Sequence, residues 1–474
     1  MKMRKLFAVF LVLILFFTGC APRAPDNSGC TYAGNEESNM FWSVNGARTM
    51  PAPRWTYHEK KIFALFYYGY KFGNLNVCNG IIYSGGDRLT AVDLNTGKEL
   101  WETQVKNSLP DEDAITYVLY PTVYKDKIVA IGARLVVEKG FGCYLERRNV
   151  LVFDRKTGKL LWKSADIGSK MDYFDWNFPV VLNNRVYVPA LNGEYRALRP
   201  GSSPMANKKE QRGIYVWDLN SGKLINKILI PFKVGVMSME GTMIRTDGRY
   251  IYLEADLERS IDEMVESSDI PDYLIKLDPR SGKVIWKVKL NFDFMFNSFA
   301  VNNRVVAVFS ATESPKTHIP HPYIKVFDKK TGKLLWSKGM TETRDICLTD
   351  SKLIIQITDD TVACFNPLTG DEIWKYNCKM PKNDLCDVTP FLTKNVLYLD
   401  NFYDIIALDP DTGKELWRKA PFYKLNYKIE VDRDMIFIPV NNGFVVEYTD
   451  ATPSGAMLFP PVIQLWSSGR NNSQ

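Results

Sequence analysis

The residues of this chain with the widest chemical range are eight Cys and three His among 474 positions. Thiolate and imidazole serve nucleophilic catalysis, disulfide exchange or zinc binding, and each use demands a particular spacing. No Cys-x-x-Cys occurs, and His58, His318 and His321 form no recognisable ligand set, so the pattern speaks against a zinc site. His318 and His321 belong to a Pro-rich loop. Apart from Cys20, taken up below, the Cys are Cys30, Cys78, Cys143, Cys347, Cys364, Cys378 and Cys386. An odd set cannot pair completely within the chain. Cys378 and Cys386 share one connector and could form a disulfide in an oxidising compartment.

What would position any such chemistry is a repeated stretch. Asp154-Arg155-Lys156-Thr157-Gly158-Lys159-Leu160-Leu161-Trp162 returns at Asp93–Trp101, Asp218–Asn226, Asp278–Trp286, Asp328–Trp336, Asn366–Trp374 and Asp409–Trp417. Each copy follows an apolar run such as Val150-Leu151-Val152-Phe153 and precedes another, which predicts two strands joined by a tight turn. Asp or Asn accepts hydrogen bonds from amides inside the turn, and Thr or Ser does so more weakly. Gly97, Gly158, Gly222, Gly282, Gly332, Gly370 and Gly413 supply the positive φ that the turn needs. Trp101, Trp162, Trp286, Trp336, Trp374 and Trp417 are expected to cover a neighbouring hairpin, while Asn226 breaks the series. The motif therefore reads as structural.

Ahead of each motif lies a second pair of apolar runs around a polar turn, clearest in Phe178–Val188. Each repeat then supplies four strands, and motif spacings of 61, 64, 60, 50, 38 and 43 residues fit the blades of an all-β propeller with insertions in the longer repeats. An eighth unit after the last motif has three candidate strands, at Ile429–Val431, Met435–Ile438 and Phe444–Tyr448, and no Thr-Gly-Lys hairpin. Its missing strand could come from Met40–Val44 at the N-terminus or from Met457–Trp466. Eight four-stranded blades are the favoured count, with seven as the alternative.

The first nineteen residues carry Lys2, Arg4 and Lys5, then an apolar run from Leu6 to Phe17 that is 12 residues long. That is too short to span a membrane and reads as an export signal. Phe17-Thr18-Gly19-Cys20 resembles the lipobox of bacterial lipoproteins, with Phe17 where Leu is usual, which implies lipidation at Cys20; the alternative is an ordinary secretory signal. Residues 20–39, rich in Pro, Gly, Asn and Ser, read as a flexible tether, and residues 40–474 as one propeller domain. Either reading of the leader places the folded body outside the cytoplasm. The net charge of +6 falls to +3 without the leader, which gives no support for nucleic-acid binding.

With seven copies in hand, the repeats are similar to those of the PQQ-like β-propellers, whose blades carry Thr-Gly-x-x-x-Trp hairpins at this position. Phe41-Trp42-Ser43-Val44-Asn45-Gly46-Ala47-Arg48-Thr49 resembles the lead-in of that group. Combined with a lipoprotein leader, the resemblance implies the branch of outer-membrane β-barrel assembly scaffolds. These are lipid-anchored to the envelope, in the outer membrane where the cell has one, and engage a protein partner without a cofactor. The enzymatic branch implies PQQ, calcium ligands and a catalytic carboxylate near the axis. Its frequent pair of adjacent Cys is missing here, and no Glu, Asn and Asp set matches its sites, so neither PQQ nor calcium is expected. A third reading is a surface lipoprotein that binds a glycan or an unrelated protein.

Strand order separates two faces. Motif turns belong on one, whereas connections between second and third strands, and between blades, belong on the other. The insertions Arg134–Asn149, Gly193–Gly213, Glu254–Asp272 and Ala311–His321 all fall on the second face, as do the connectors containing Trp176 and Phe294. Gly193–Gly213 is basic, with Arg196 and Arg199, and Glu254–Asp272 is acidic, with Leu257, Ile261, Met264 and Val265 at helical spacing. The plain alternative for both charge runs is a solvated loop. Trp176, Arg196, Arg199 and Phe294 are the candidate partner-binding residues.

Overall fold

The computed structural model describes residues 30–32, 40–41, 45–58, 75–106, 115–138, 142–165, 179–192, 211–229, 244–256, 272–290, 298–313, 320–340, 346–358, 360–379, 388–400, 404–419, 435–440, 442–448 and 462–468. Among them every regular element is a β-strand, and no helix is long and apolar enough to cross a membrane.

The strands form a β-propeller. Seven four-stranded blades are each built from consecutive antiparallel strands. Blade 1 comprises Leu75–Cys78, Ile81–Ser84, Leu89–Asp93 and Glu99–Thr103. Blade 2 comprises Ile115–Tyr124, Lys127–Glu138, Gly142–Asp154 and Leu160–Lys163, and blade 3 Val180–Leu182, Arg185–Asn192, Gln211–Asp218 and Leu224–Leu229. In blade 4 the strands are Ile244–Thr246, Ile251–Asp256, Asp272–Leu277 and Val284–Lys289; in blade 5, Ser298–Val301, Val305–Glu313, Pro320–Asp328 and Leu334–Gly339. Blade 6 runs through Ile346–Leu348, Leu353–Thr358, Thr361–Phe365 and Glu372–Asn377. Blade 7 runs through Thr389–Thr393, Leu397–Asp400, Ile405–Leu408 and Glu415–Lys419.

A further four-stranded sheet completes the ring between blades 7 and 1. Met435–Val440, Gly443–Tyr448 and Val462–Ser467 are joined by Ala52–His58 from the N-terminal side, which pairs antiparallel with Val462–Ser467. Its first strand touches the first strands of both blade 7 and blade 1. Seven blades carry the motif, the count that stood as the alternative to eight, and the further sheet that joins the two ends lacks it. The closing strand, however, is Ala52–His58 rather than Met40–Val44. Met40–Phe41 lies instead parallel to the first strand of blade 7, and the segment from 457 to 466 contributes its end as a third strand. Ile429–Val431 lies outside the described residues.

Each motif turn is held in the same way. In blade 2 the Asp154 carboxylate accepts from the Thr157 amide at 2.8 Å and from the Thr157 hydroxyl at 2.6 Å, and the Gly158 amide donates to the Asp154 carbonyl at 2.9 Å. Gly158 has φ +71°. Where Asn366 replaces Asp, Asp371 takes over the Thr369 hydroxyl at 2.6 Å. The Trp at the end of one motif then lies flat on the motif Gly of the next blade. A Cβ on Gly222 would sit 2.7 Å from Cδ2 of Trp162, and the Trp162 indole N–H donates to the Leu219 carbonyl at 2.9 Å. Trp286, Trp336 and Trp374 repeat this toward Lys329, Pro367 and Pro410. Blade 3 has Asn226, and there Ile228 covers Gly282.

The sheet without a motif borrows its parts. Trp417 donates to the Ala47 carbonyl at 2.8 Å, and Trp55, in the closing strand, lies on Gly97 and donates to the Leu94 carbonyl at 3.0 Å. Arg48 adds an ion pair with Asp409 at 3.0 Å. Between successive blades the facing sheets bury aliphatic and aromatic side chains, such as Tyr83, Ala91, Val118, Ile128 and Phe153 between blades 1 and 2. Trp417, Tyr398, Phe444 and Leu465 pack across the closure.

Candidate functional site

The chain's own topology decides which face can carry loops. First-to-second-strand turns bond to motif turns of the same blade: the Leu94 amide donates to Gly80, Leu219 to Asn184, and Lys329 to Arg304. Those turns therefore share one face, and the connections between second and third strands rise from the opposite one. In blades 2 to 5 these connections are drawn out. Lys127–Glu138 and Gly142–Asp154 remain paired from Lys127↔Asp154 to Glu138↔Gly142, with a bulge between Gly132 and Ala133. The first insertion is thus a long hairpin rather than an irregular loop, because Leu135-Val136-Val137 and Tyr144-Leu145 extend the strands on both arms. Its backbone runs well beyond the outer pairing of the blade, where Leu151↔Lys163 is the last pair before the edge.

The other three insertions begin and end as strand extensions. Asn192↔Gln211, Asp256↔Asp272 and Glu313↔Pro320 are their outermost described pairs. Blades 6 and 7 are different, since Thr358 pairs with Thr361 and Asp400 with Ile405. Among the motif-bearing blades, long second-to-third-strand connections are thus those of four consecutive blades, and in the closing sheet the pair Tyr448↔Val462 bounds another. Trp176, Arg196, Arg199 and Phe294 lie outside the described residues, as do the stretch with helical spacing from Leu257 to Val265 and Cys20.

Toward the axis, short strands lie on the inner edges of three blades. Cys30–Tyr32 and Val105–Lys106 pair antiparallel with the first strands of blades 1 and 2, and Met40–Phe41 pairs parallel with that of blade 7. Cys30–Tyr32 also touches the first strand of the closing sheet. Cys30 and Tyr32 fall in the stretch that composition reads as tether, yet Cys30 faces Cys78 directly in the register, and Cys78 is disulfide-bonded. The pairing considered for Cys378 does not form: Cys378 is a free, buried thiol, packed with Cys347 and Cys364 in the core between blades 6 and 7. Burial pushes the Cys364 and Cys378 thiols up to about 12 and raises Cys347 as well. They are unsuited to nucleophilic chemistry.

The charged groups of the described interior tie blades together. Asp247 accepts from the Tyr250 amide at 2.7 Å, the Tyr252 hydroxyl at 3.0 Å and the Lys329 ammonium at 2.9 Å. Burial works to raise this carboxyl, but the Tyr250 amide and Lys329 outweigh it and hold it below the usual carboxylate range. Lys276 donates to the Lys329 carbonyl at 2.9 Å and is pulled below the ordinary lysine value by burial. Arg155 spans blades 2 and 1, donating to the Tyr83 hydroxyl at 2.8 Å and the Cys78 carbonyl at 3.1 Å. On blade 7, Arg418 pairs with Asp404 at 2.6 Å and donates to the Tyr376 hydroxyl of blade 6 at 2.8 Å. Among the described residues no group of three or more His, Cys, Asp and Glu could hold a metal ion.

A PQQ-repeat family model described as outer membrane protein assembly factor BamB matches residues 72–209, 262–383 and 358–454. Tetrathionate hydrolase from Acidithiobacillus ferrooxidans is 24% identical over 310 residues, covering 55% of this chain; the match spans only 60% of that hydrolase. Among solved structures, quinohemoprotein alcohol dehydrogenase from Comamonas testosteroni superposes with a TM-score of 0.53 at 11% identity, over 96% of this chain and 82% of that one. BamB from Moraxella catarrhalis has a TM-score of 0.49 at 13% identity, over 89% and 99%. At such identities the likeness concerns the fold.

Proposed function

We propose, on the premise that this chain belongs to the PQQ-repeat family described as outer membrane protein assembly factor BamB, that it is a non-enzymatic envelope scaffold. It is anchored by lipid at Cys20 and docks a partner protein of β-barrel assembly on its loop face. The observation that carries this reading is that the drawn-out second-to-third-strand connections of four consecutive blades all rise from one face. Loops held on a rigid ring, with aromatic and oppositely charged stretches between them, supply the adaptable polar rim and large apolar groups that protein interfaces use.

The dehydrogenase reading rests on likeness of fold. Fold alone supplies no chemistry.

Affinity capture of the full chain from cross-linked envelopes tests the proposal. Recovery of a β-barrel assembly protein is expected, with loss of capture on reversing Arg196→Glu and Arg199→Glu. Robust recovery of a different partner, such as a glycan-bearing protein, with no assembly component would overturn it. Turnover of alcohols with added PQQ and Ca²⁺, or of tetrathionate, by the purified chain would overturn the non-enzymatic half.

A further inference from the structure

The outer rim of the ring is chemically divided. In blades 3, 4 and 5 the fourth strand opens with two exposed aliphatic residues: Leu224 and Ile225, Val284 and Ile285, Leu334 and Leu335, each between 39% and 45% exposed. The same three strands carry Lys227, Lys287, Lys289 and Lys338, all exposed, and no Asp or Glu. Exposed Lys223, Lys283 and Lys333 immediately precede them. In blades 1, 6 and 7 the position two before the Trp is instead Glu99, Glu372 or Glu415. Blade geometry therefore accepts a carboxylate at that position, and packing does not demand Leu224, Val284 or Leu334.

Lysines on edge strands ordinarily keep sheets from pairing with one another. Six exposed aliphatic residues beside them work against that protection if only water lies outside. We infer that the rim of blades 3 to 5 is a contact surface for an anionic phospholipid bilayer. Lysine stems lie along apolar surface while their ammonium groups reach outward to headgroups; Lys227 and Lys287 already lie over the Tyr215 and Tyr273 rings at 4.8 and 4.9 Å. The composition favours lipid over protein, because protein hot spots are rich in Trp, Tyr and Arg and poor in Lys. Among the described residues the exposed large hydrophobic side chains are all aliphatic or Met. A convex row continued across successive blades also suits a flat partner. The inference holds whichever protein occupies the loop face, and it turns that face to look along the membrane rather than away from it.

The test places an environment-sensitive dye at Ile285→Cys and, separately, at Ile373→Cys in blade 6, beside Asp371 and Glu372, in the full chain reconstituted with vesicles. Signal from the unsubstituted chain is subtracted. With phosphatidylglycerol-containing vesicles a blue shift is expected at position 285 and not at 373, and pure phosphatidylcholine gives neither. Lys227→Glu, Lys287→Glu and Lys338→Glu together should lower the vesicle partition coefficient about a hundredfold or more. Circular dichroism checks that these surface variants remain folded. Equal spectra at the two positions, or a shift indifferent to charge reversal, would overturn the inference. So would a shift that requires an added envelope protein, which would assign the rim to a protein instead.

Discussion

A methyl group on Gly413 would meet Cδ2 and Cε3 of Trp374 at 2.7 Å, one on Gly282 would meet Ile228 at 3.2 Å, and one on Gly80 would meet nothing within 4 Å. All three glycines have positive φ, so the three alanine variants separate backbone cost from steric cost. Gly80→Ala should lose about 1 kcal/mol. Gly282→Ala should lose somewhat more, and Gly413→Ala about 3 kcal/mol or more, since a rigid indole must shift. Urea midpoints that ranked the three otherwise would refute this reading of the contact. The buried thiols make a second prediction. Native Cys347, Cys364 and Cys378 should resist iodoacetamide at pH 8 and react after unfolding in urea. Because folding raises Cys364 and Cys378 from an ordinary 9.0 to about 12, their contribution is fully present below pH 9 and is lost as pH rises toward 12. The slope is up to about 1.4 kcal/mol per pH unit for each thiol. Urea midpoints measured from pH 8 to 11 should fall accordingly.

The hairpins were legible in sequence because turn chemistry is local: Asp, Thr and Gly at fixed offsets close one turn whatever surrounds it. What the Trp rests on was not legible, since the Gly beneath it belongs to the next repeat. Nor could Trp55 be recognised as a member of the series, for it lacks the Thr-Gly-Lys turn that marks the others. Asn226 shows the compensation, with Ile228 two residues on covering Gly282. Trp336→Ala, which removes both the cover on Gly370 and the bond to the Pro367 carbonyl, should cost about 3 kcal/mol, and Ile228→Ala about 2. Thermal melts of the two variants check the order. The drawn-out hairpin of blade 2 is hard to see in the sequence because Gly140, Gly142 and the charges of Glu146-Arg147-Arg148 look like loop, although the arms between them alternate well enough to pair. The candidate contacts Trp176, Arg196, Arg199 and Phe294 remain proposals drawn from sequence alone.

The ring closes through Trp417 on Ala47, Trp55 on Gly97 and the pairing of Ala52–His58 with Val462–Ser467. Loss of Trp55 should therefore act on the whole transition rather than on one blade: Trp55→Ala should lower and broaden the melt, and a chain lacking residues 45–58 should lose cooperativity. An unchanged calorimetric transition in either case would show that the ends are dispensable. Closure by the two ends was readable as an idea, because the last unit lacks a motif; the register was not, because Met40-Phe41 and Trp55 are equally apolar candidates. The same closure sets an order in time. Each of blades 1 to 7 can pair as soon as its own residues have been made, but Ala52–His58 is made before all of them and must wait for Val462–Ser467, made after them all. Throughout that interval the arc has two open ends, each presenting an apolar sheet face. A chain interrupted before Val462 never hides them, so a molecule cut short within the ring carries its own mark for proteases and chaperones.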